Sequence, residues 1–250
     1  NLCIMGSRSE TDDRGGQSVL DLVEDWYQVP ALLLVVGAMF AVRMQSYSNF
    51  IRDGEVFFSG NDAWYHFRST MYAVQNWPST MPFDPWTGFP YGTFAGQFGT
   101  LFDQLIAATA LIIGLGDPSS QQIAAVTAFA PAIFGALVAV PTFFIARRFG
   151  GNGVGVISAF VLALLPGLFL QRGTVGSADH NVVEPLFQAL GVLGTMVAVG
   201  VAHREKPVWE QVLDRDVAGL RRTVGWAAIG GVAVALGLGT LAVPPFEVDD

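Results

Sequence analysis

Charged side chains are missing from long stretches of this chain, and these stretches are its strongest pattern. Residues 149–171, 185–202 and 223–246 contain no Asp, Glu, Lys or Arg, and residues 104–146 contain a single acid. A helix needs about 20 apolar residues to cross a hydrocarbon core about 30 Å thick. A further uncharged stretch, 26–42, is shorter and lies near the N-terminus. The pattern predicts several membrane-spanning helices.

The predicted architecture is an all-α membrane protein built as a polytopic transmembrane helical bundle. A soluble all-α protein with unusually buried helices is the alternative, but such helices rarely lack charge on every face. The transmembrane domain (29–246) follows a cytoplasmic N-terminal tail with an interfacial helix (1–28), includes an external loop (47–120) and is followed by a truncated end (247–250). About five spans are expected, at 29–46, 121–146, 154–171, 183–202 and 223–243.

Basic residues close to the spans indicate which loops face the cytoplasm. The arginine pair 147–148 follows one span, and further cations lie within 204–222. Both loops are therefore expected inside, and the connection that carries Asp179 is expected outside. The apolar stretch 101–116 is short for a span, so we interpret it as a re-entrant or surface-lying helix. This interpretation keeps the polar segment 47–100 outside as well.

Two further predictions concern the membrane surface. Arg43 ends the first apolar stretch, and we expect its side chain to reach outward to the interface. Apolar residues recur at helical spacing among charged neighbours from Trp209 to Val224, which is typical of a helix lying on the membrane. A weaker pattern of the same kind precedes the first span, at 19–27.

Composition agrees with a membrane protein and excludes other classes. The chain is 52% hydrophobic and 14% charged, with a mean hydropathy of +0.46 and a net charge of −8. An ordinary soluble domain carries roughly 25% charged residues. Proteins that bind nucleic acid are basic, so no nucleic-acid partner is expected. The single cysteine, Cys3, excludes an intrachain disulfide and a thiolate metal site.

The first candidate site lies just beyond the first span, in residues 60–68 (GNDAWYHFR). An acid, Asp62, is followed there by aromatic residues, an imidazole and a cation, Arg68. Polar residues are costly next to lipid, so they tend to mark functional sites in membrane proteins. An aromatic belt at the membrane interface with solvated charges explains the composition equally well.

The second candidate site lies in residues 176–185 (GSADHNVVEP), between two apolar helices. Asp179, His180 and Asn181 crowd oxygen and nitrogen ligands into one turn. Carboxylate and carbonyl oxygens that converge on a turn suit a hard divalent cation. Helix capping, with Asp179 or Asn181 as the N-cap, is the competing explanation. The spacing alone leaves both open.

The two stretches together resemble the catalytic subunit of archaeal oligosaccharyltransferase, the AglB branch of the membrane glycosyltransferases. Residues 61–68 are similar to the acidic motif of that family's first external loop, and residues 172–181 (RGTVGSADHN) resemble its DxD-type motif. Residues 83–86 (FDPW) and 89–92 (FPYG) match the same external loop. The resemblance runs from about residue 25 to 235. It implies a GT-C glycosyltransferase fold in the cell membrane, with both motifs facing outward.

The resemblance also implies a reaction. An oligosaccharide is expected to move from a dolichol-phosphate-linked donor to the Asn amide of an Asn-X-Ser/Thr sequon in an acceptor polypeptide. Carried over by position, Asp62 would hold the acceptor amide and would bind Mn²⁺ or Mg²⁺ together with Asp179 and Asn181. The ion would neutralise the charge that develops on the leaving phosphate. Three side chains are expected to contact that phosphate: His180, Arg172 and Arg68.

The chain departs from the family pattern in two respects. Asn181 stands where the family commonly has Asp, Glu or His, and an amide oxygen binds a hard ion less strongly than a carboxylate does. Glu184 could supply the missing charge, although a capping or snorkelling role explains it equally well. Family members also continue through more spans and a soluble C-terminal domain. We therefore expect an N-terminal portion that carries half of a catalytic site and has little or no activity alone.

Other classes of protein remain possible at this point. A transporter or flippase would use Asp62, Asp179 and Glu184 to line a path, but it would need ionisable residues near the bilayer midplane. Another lipid-phosphate-dependent glycosyltransferase, such as a protein O-mannosyltransferase, also has an external acidic loop. A structural subunit without catalysis is a further alternative.

Overall fold

The structure is a computed structural model that describes residues 26–95, 100–204 and 206–239. It is a helical bundle with two short β-hairpins, and it confirms the predicted all-α class. The predicted N-terminal tail and the weak pattern at 19–27 lie almost wholly outside the described residues. The last residues of the fifth predicted span and the end at 247–250 also lie outside them.

The regular elements follow one another in a simple order. The helices are α1 (Gln28–Arg43), α2 (Tyr47–Phe50), α3 (Gly60–Gln75), α4 (Leu101–Ile113), α5 (Ser120–Leu137), α6 (Ala139–Ala163), α7 (Leu168–Arg172), α8 (Glu184–Arg204), α9 (Val208–Leu213) and α10 (Val217–Gly239). The described residues also include 3₁₀ turns at Met44–Ser46 and His180–Val182. Antiparallel strand pairs are β1 (Ile51–Arg52) with β2 (Glu55–Val56), and β3 (Phe83–Asp84) with β4 (Thr93–Phe94).

Three helical segments of the described chain are long and apolar enough to span a membrane: Gln28–Phe50, Ser120–Ala163 and His180–Val201. They support the assignment as a membrane protein. The second segment has 44 residues, but it is not one straight helix, because the chain reverses direction at Gly150 and Gly151. Gly151 has a φ of +77°, which L-residues with side chains rarely adopt.

The chain doubles back at this reversal. A Cβ atom built on Gly155 would lie 2.7 Å from the ring of Phe143, twelve positions earlier. A straight helix would hold these two residues about 18 Å apart at 1.5 Å per residue. The segment therefore consists of two helical arms, and their junction falls between the predicted spans 121–146 and 154–171.

Helix α4 is too short to cross a bilayer by itself. Its 13 residues extend about 20 Å at 1.5 Å per residue, against a hydrocarbon core of about 30 Å. Its first turn packs deep in the bundle, where the rings of Phe102 and Phe134 lie 6.1 Å apart. It then returns to the start of α5, which Ser119 and Gln122 close with a capping box. Its placement as a non-crossing helix stays a prediction.

The main buried cluster joins α3 and α4 to the second candidate site. Small residues allow the close approach of α3, α4, α5 and the 175–187 segment. The cluster includes Ala63, Phe102, Ile106, Ala128, Val175, Ala178 and Val183. Both candidate sites are thus built on one packed core.

Arg43 does not reach outward, and that prediction was wrong. Its side chain is 1% exposed, and its guanidinium lies 4.9 Å from the ring centroid of Phe169. The reason is that helical structure continues past Arg43 as far as Phe50, so this residue lies inside the bundle and not at a helix end. Gly135 and Gly173 leave the space that the guanidinium fills.

The predicted surface helix from Trp209 to Val224 is broken into two helices. Helix α9 ends at Leu213, and α10 begins at Val217. Asp216 causes the restart, because its Oδ1 accepts a hydrogen bond from the backbone N–H of Gly219 at 2.9 Å and caps α10. The residues beyond 217 therefore belong to a helix that packs along α8.

Candidate functional site

The loop before Asp179 is tied to three other parts of the chain by backbone hydrogen bonds. The N–H of Val175 donates to the carbonyl of Arg43 at 3.2 Å, and the N–H of Gly176 donates to that of Ala128 at 2.9 Å. The carbonyl of Gly176 accepts from the N–H of Ser59 at 2.9 Å. The last bond fixes the N-terminus of α3, and with it the first candidate motif, beside the second.

Gly176 is required at this junction for two reasons. Its φ is +85°, and a Cβ atom there would lie 2.4 Å from the ring of Phe50. A larger residue would be strained and would collide with that ring. The sequence reasoning gave this glycine no role.

Asp62 and Asp179 line one cavity of about 260 Å³. Asp62 is exposed in the first turn of α3, where the positive end of the helix dipole favours a carboxylate. Asp179 is 7% exposed and follows the anchored loop. The two acids, which are more than a hundred positions apart in the sequence, therefore meet at one place in the fold.

Asp179 makes the capping interactions that were expected as the alternative to a metal site. Its Oδ1 accepts hydrogen bonds from the backbone N–H of Asn181 at 3.0 Å and from Asn181 Nδ2 at 2.6 Å. Its Oδ2 lies 3.7 Å from Nε of Arg172. Capping of the 3₁₀ turn still leaves Asp179 facing the cavity, so the two explanations are compatible.

The imidazole of His180 lies close to the side chains of Asp179, Glu184 and His66. Its Nδ1 lies 3.3 Å from Oδ1 of Asp179, and its Nε2 lies 3.9 Å from Oε1 of Glu184. The same Nδ1 lies 3.2 Å from Nε2 of His66, on α3. The imidazole of His180 thus bridges the two candidate motifs.

His66 and Asp103 are site residues to which the sequence reasoning assigned no role. Nδ1 of His66 lies 2.7 Å from Oδ1 of Asp103, and both side chains are buried. Burial opposes the charged form of His66, but the charge and hydrogen bond of Asp103 outweigh this effect and raise the pKa of His66. Burial raises the pKa of Asp103, and His66 acts against that rise. The sequence signal that could have identified Asp103 is the presence of an acid within an otherwise apolar helix.

The nitrogen and oxygen atoms of His66, Asp179 and His180 that could bind a metal all lie within 4.8 Å of one another. Asp62 lies beside them, because it also lines a second cavity of about 70 Å³ together with His66 and His180. Two of the three expected metal ligands, Asp62 and Asp179, therefore lie around this cluster. The third, Asn181, presents its amide N–H to Asp179.

Arg68 lies next to a different acid. Its Nε and Nη2 donate to Oδ1 and Oδ2 of Asp84 at 3.2 and 2.5 Å. Asp84 is completely buried and also accepts from the hydroxyl of Thr87 at 2.6 Å. Burial favours the neutral acid, but the donors of Arg68 and Thr87 lower the pKa of Asp84. Arg68 thus attaches the β3–β4 hairpin to α3, and its contact with a phosphate stays a prediction.

Comparison with known proteins places this chain in a family. The family model for the N-terminal part of oligosaccharyl transferase STT3 matches residues 31–242. The dolichyl-monophosphooligosaccharide–protein glycotransferase AglB of Haloferax volcanii is 53% identical over 228 residues, which are 91% of this chain and 22% of that protein. The chain thus spans about a quarter or less of the length of the relatives it matches.

Solved structures agree with this relationship. Archaeoglobus fulgidus AglB in complex with an inhibitory peptide and a dolichol-phosphate matches with a TM-score of 0.74 and 27% identity, over 87% of this chain and 24% of that one. An Archaeoglobus fulgidus oligosaccharyltransferase in complex with Zn and sulfate matches with a TM-score of 0.70 and 27% identity, over 84% and 25% of the two chains. The predicted resemblance is confirmed: this chain belongs to the oligosaccharyl transferase STT3 family and matches its N-terminal part.

Proposed function

We propose that this chain forms the N-terminal membrane portion of an enzyme of protein N-glycosylation. The enzyme transfers an oligosaccharide from a dolichol-phosphate-linked donor to the Asn amide of an Asn-X-Ser/Thr sequon. The observation that carries the proposal is the cavity shared by Asp62 and Asp179. The names of the relatives, which are dolichyl-phosphooligosaccharide–protein glycotransferases, support the same reaction. They also favour a transferase over a transporter, a flippase or an O-mannosyltransferase.

A divalent cation, Mn²⁺ or Mg²⁺, fits the donors around this cavity. Asp62, Asp179 and the amide oxygen of Asn181 supply the hard oxygen ligands that such ions take. Asp179 is 7% exposed and lines the cavity wall, so its carboxylate is accessible to a cation bound there. The ion would act as a Lewis acid that neutralises the charge on the departing phosphate.

The remaining side chains of the proposal bind and orient the substrates. Asp62 is exposed, so it is accessible to the acceptor amide and holds it toward the donor. His180 and Arg172 lie on either side of Asp179 and donate hydrogen bonds to the donor phosphate. Arg68 is the third proposed contact of the phosphate, although Asp84 neutralises much of its charge.

We further propose that the protein is multi-pass and that this site faces outward. Helical structure runs from Ala128, beside the site, to the arginine pair 147–148 with a single turn residue at Val138. Nineteen residues of helix extend about 28 Å, which is close to the thickness of a hydrocarbon core. The arginines and the site therefore lie at opposite faces of one membrane-thick bundle, and arginines mark the cytoplasmic side.

A chimera tests the proposed function. Residues 31–239 of this chain would replace the matching segment of Haloferax volcanii AglB, in cells that lack their own AglB, with a sequon-bearing reporter protein. We expect the chimera to glycosylate the reporter and Asp62→Asn or Asp179→Asn to reduce modification at least 100-fold. Asp53→Asn, at an exposed hairpin turn, is the control and should leave modification unchanged. Normal glycosylation by both acid variants would overturn the proposal.

A further inference from the structure

We propose that His66 is a nitrogen ligand of the divalent cation in this site, that Asp103 holds it in place, and that His180 supplies a second nitrogen. The inference rests on the cation of the proposed function and specifies how this chain binds it. It changes the expected ligand set from oxygen alone to a mixture of carboxylate and imidazole.

Asp103 orients His66 for this role. Oδ1 of Asp103 lies 2.7 Å from Nδ1 of His66, and the neutral imidazole that donates its Nδ1 proton to this acid has Nε2 as the nitrogen that can bind a metal. The ring of Phe102 packs edge-on against the imidazole, with centroids 5.0 Å apart and an interplanar angle of 88°. Proteins commonly orient a metal-binding histidine by a carboxylate on its other nitrogen.

Two of the three separations among the candidate ligand atoms match those of neighbouring ligands on one ion, and all three atoms lie within 4.8 Å of one another. Nε2 of His66 lies 3.2 Å from Nδ1 of His180, which lies 3.3 Å from Oδ1 of Asp179. With metal–ligand distances of about 2.0–2.2 Å, adjacent ligands of one ion lie about 3.0–3.4 Å apart. Small side-chain adjustments would therefore bring all three atoms onto one cation.

Hydrogen bonding alone leaves this cluster incompletely satisfied. When His66 is neutral with its proton on Nδ1, Nε2 of His66 and Oδ1 of Asp179 are both acceptors, and Nδ1 of His180 has at most one proton to offer them. A single N–H shared between two acceptors makes a weaker, less linear hydrogen bond to each than an N–H directed at one acceptor makes. A cation at the centre would accept electron pairs from all three groups.

The charge of the surroundings also favours a cation. Four carboxylates lie around the imidazoles, from Asp62, Asp103, Asp179 and Glu184. Arg172 approaches Asp179 no closer than 3.7 Å and is 44% exposed, so it offsets this negative charge only in part. Because imidazole ligands suit borderline metals better than Mg²⁺, the site should prefer Mn²⁺ or Zn²⁺ to Mg²⁺.

The chain allows a direct test because it contains three histidines. In the His180→Gln/His203→Gln double variant, His66 is the sole remaining histidine and is itself unchanged. His203 lies about 30 Å along α8 from Glu184, at 1.5 Å per residue, and is therefore far from the site. Its replacement alone serves as the matched control. The full 250-residue chain would be purified in detergent through a tag without histidine and loaded with Mn²⁺.

Electron spin echo envelope modulation reports nitrogen bound to Mn²⁺ without any need for activity. We expect nitrogen modulation in the unsubstituted chain and in His203→Gln, and a reduced signal in the double variant. That signal should change from ¹⁴N to ¹⁵N when the chain carries ¹⁵N-histidine. Asp103→Asn should weaken Mn²⁺ binding about 10–100-fold, as loss of such an orienting carboxylate does elsewhere.

The outcomes separate the inference from the proposed function. Bound Mn²⁺ without histidine nitrogen in the double variant overturns the inference and leaves a cation on oxygen ligands intact. Failure of the unsubstituted chain to bind Mn²⁺ at millimolar concentration overturns both. The decisive variant keeps His66 unchanged, so the result does not depend on whether a variant that lacks His66 folds.

Discussion

Nδ1 of His66 lies 2.7 Å from Oδ1 of Asp103, and the two side chains are only 1% and 3% exposed. This buried pair joins α3 to α4 beneath the candidate site. The two residues lie 37 positions apart in the sequence, so the pair forms only when α3 and α4 pack against each other.

Replacement of Asp103 should destabilise the fold. Asp103→Ala leaves the Nδ1 proton of His66 buried without its acceptor, which costs about 2–3 kcal/mol of the free energy of unfolding. Chemical unfolding followed by circular dichroism would measure the loss. Asp117→Ala is the control, because Asp117 is exposed and its removal should cost less than about 0.5 kcal/mol. Equal stability of the two variants would contradict the role of the pair.

Gly60 and Gly176 both have a positive φ, and their replacement separates the cost of backbone strain from the cost of a steric collision. Gly176 has a φ of +85° and Gly60 has a φ of +68°, but only the Cβ at Gly176 would meet the ring of Phe50. Gly60→Ala should cost about 1–2 kcal/mol, the price of the left-handed conformation. Gly176→Ala should cost clearly more and should also weaken Mn²⁺ binding, because the loop before Asp179 must shift. Equal costs from denaturant titration would show that the loop accommodates a methyl group.

The ion pair between Arg68 and Asp84 should contribute stability that acid removes. Burial opposes the charged form of Asp84, yet its donors lower its pKa. An acid with a lowered pKa in the folded state stabilises the fold above its unfolded pKa of about 3.9, and this contribution is lost as pH falls through the lowered value. Thermal unfolding of the unsubstituted chain and of Asp84→Asn should therefore differ by about 2 kcal/mol at pH 7. The two should converge as the pH falls through the lowered pKa of Asp84. A difference that stays constant with pH would contradict this assignment.

Arg43 should be replaceable by an apolar residue of similar length. Its Nε and Nη2 are buried and have no hydrogen-bond partner among the described residues, so the guanidinium is desolvated with little return. We expect Arg43→Met to unfold at the same temperature as the unsubstituted chain or higher. Arg43→Ala should lose about 2–3 kcal/mol, because it leaves a cavity against Phe169. If Met were as destabilising as Ala, the charge itself would be needed.

Sequence reasoning identified the features that depend on local composition. Uncharged stretches predict buried or membrane helices because a charge on any face is costly there. The glycines at 150 and 151 lie between the predicted spans 121–146 and 154–171, and the chain reverses at these residues. The Asp179 turn was recognisable because three polar residues interrupt apolar sequence, and it does line a cavity with Asp62.

The features that sequence reasoning missed depend on packing between distant segments. The contact of His66 with Asp103 requires α4 to return along α3 and α5, which no local pattern specifies. The burial of Arg43 depends on where helical structure ends, eight residues beyond the last apolar position of its stretch. The break before α10 depends on which of several acids caps a helix, and Asp216 does so.

Asp62 and Asp179 are proposed to bind one cation, and isothermal titration of Mn²⁺ into four chains tests this most directly. The chains are the unsubstituted protein, Asp62→Asn, Asp179→Asn and the double variant. If both acids hold one ion, each single variant should bind Mn²⁺ at least 10-fold more weakly, and the double variant should lose much less than the sum of the two. Unchanged affinity in Asp62→Asn, or losses in the two variants that simply add, would contradict a shared cation.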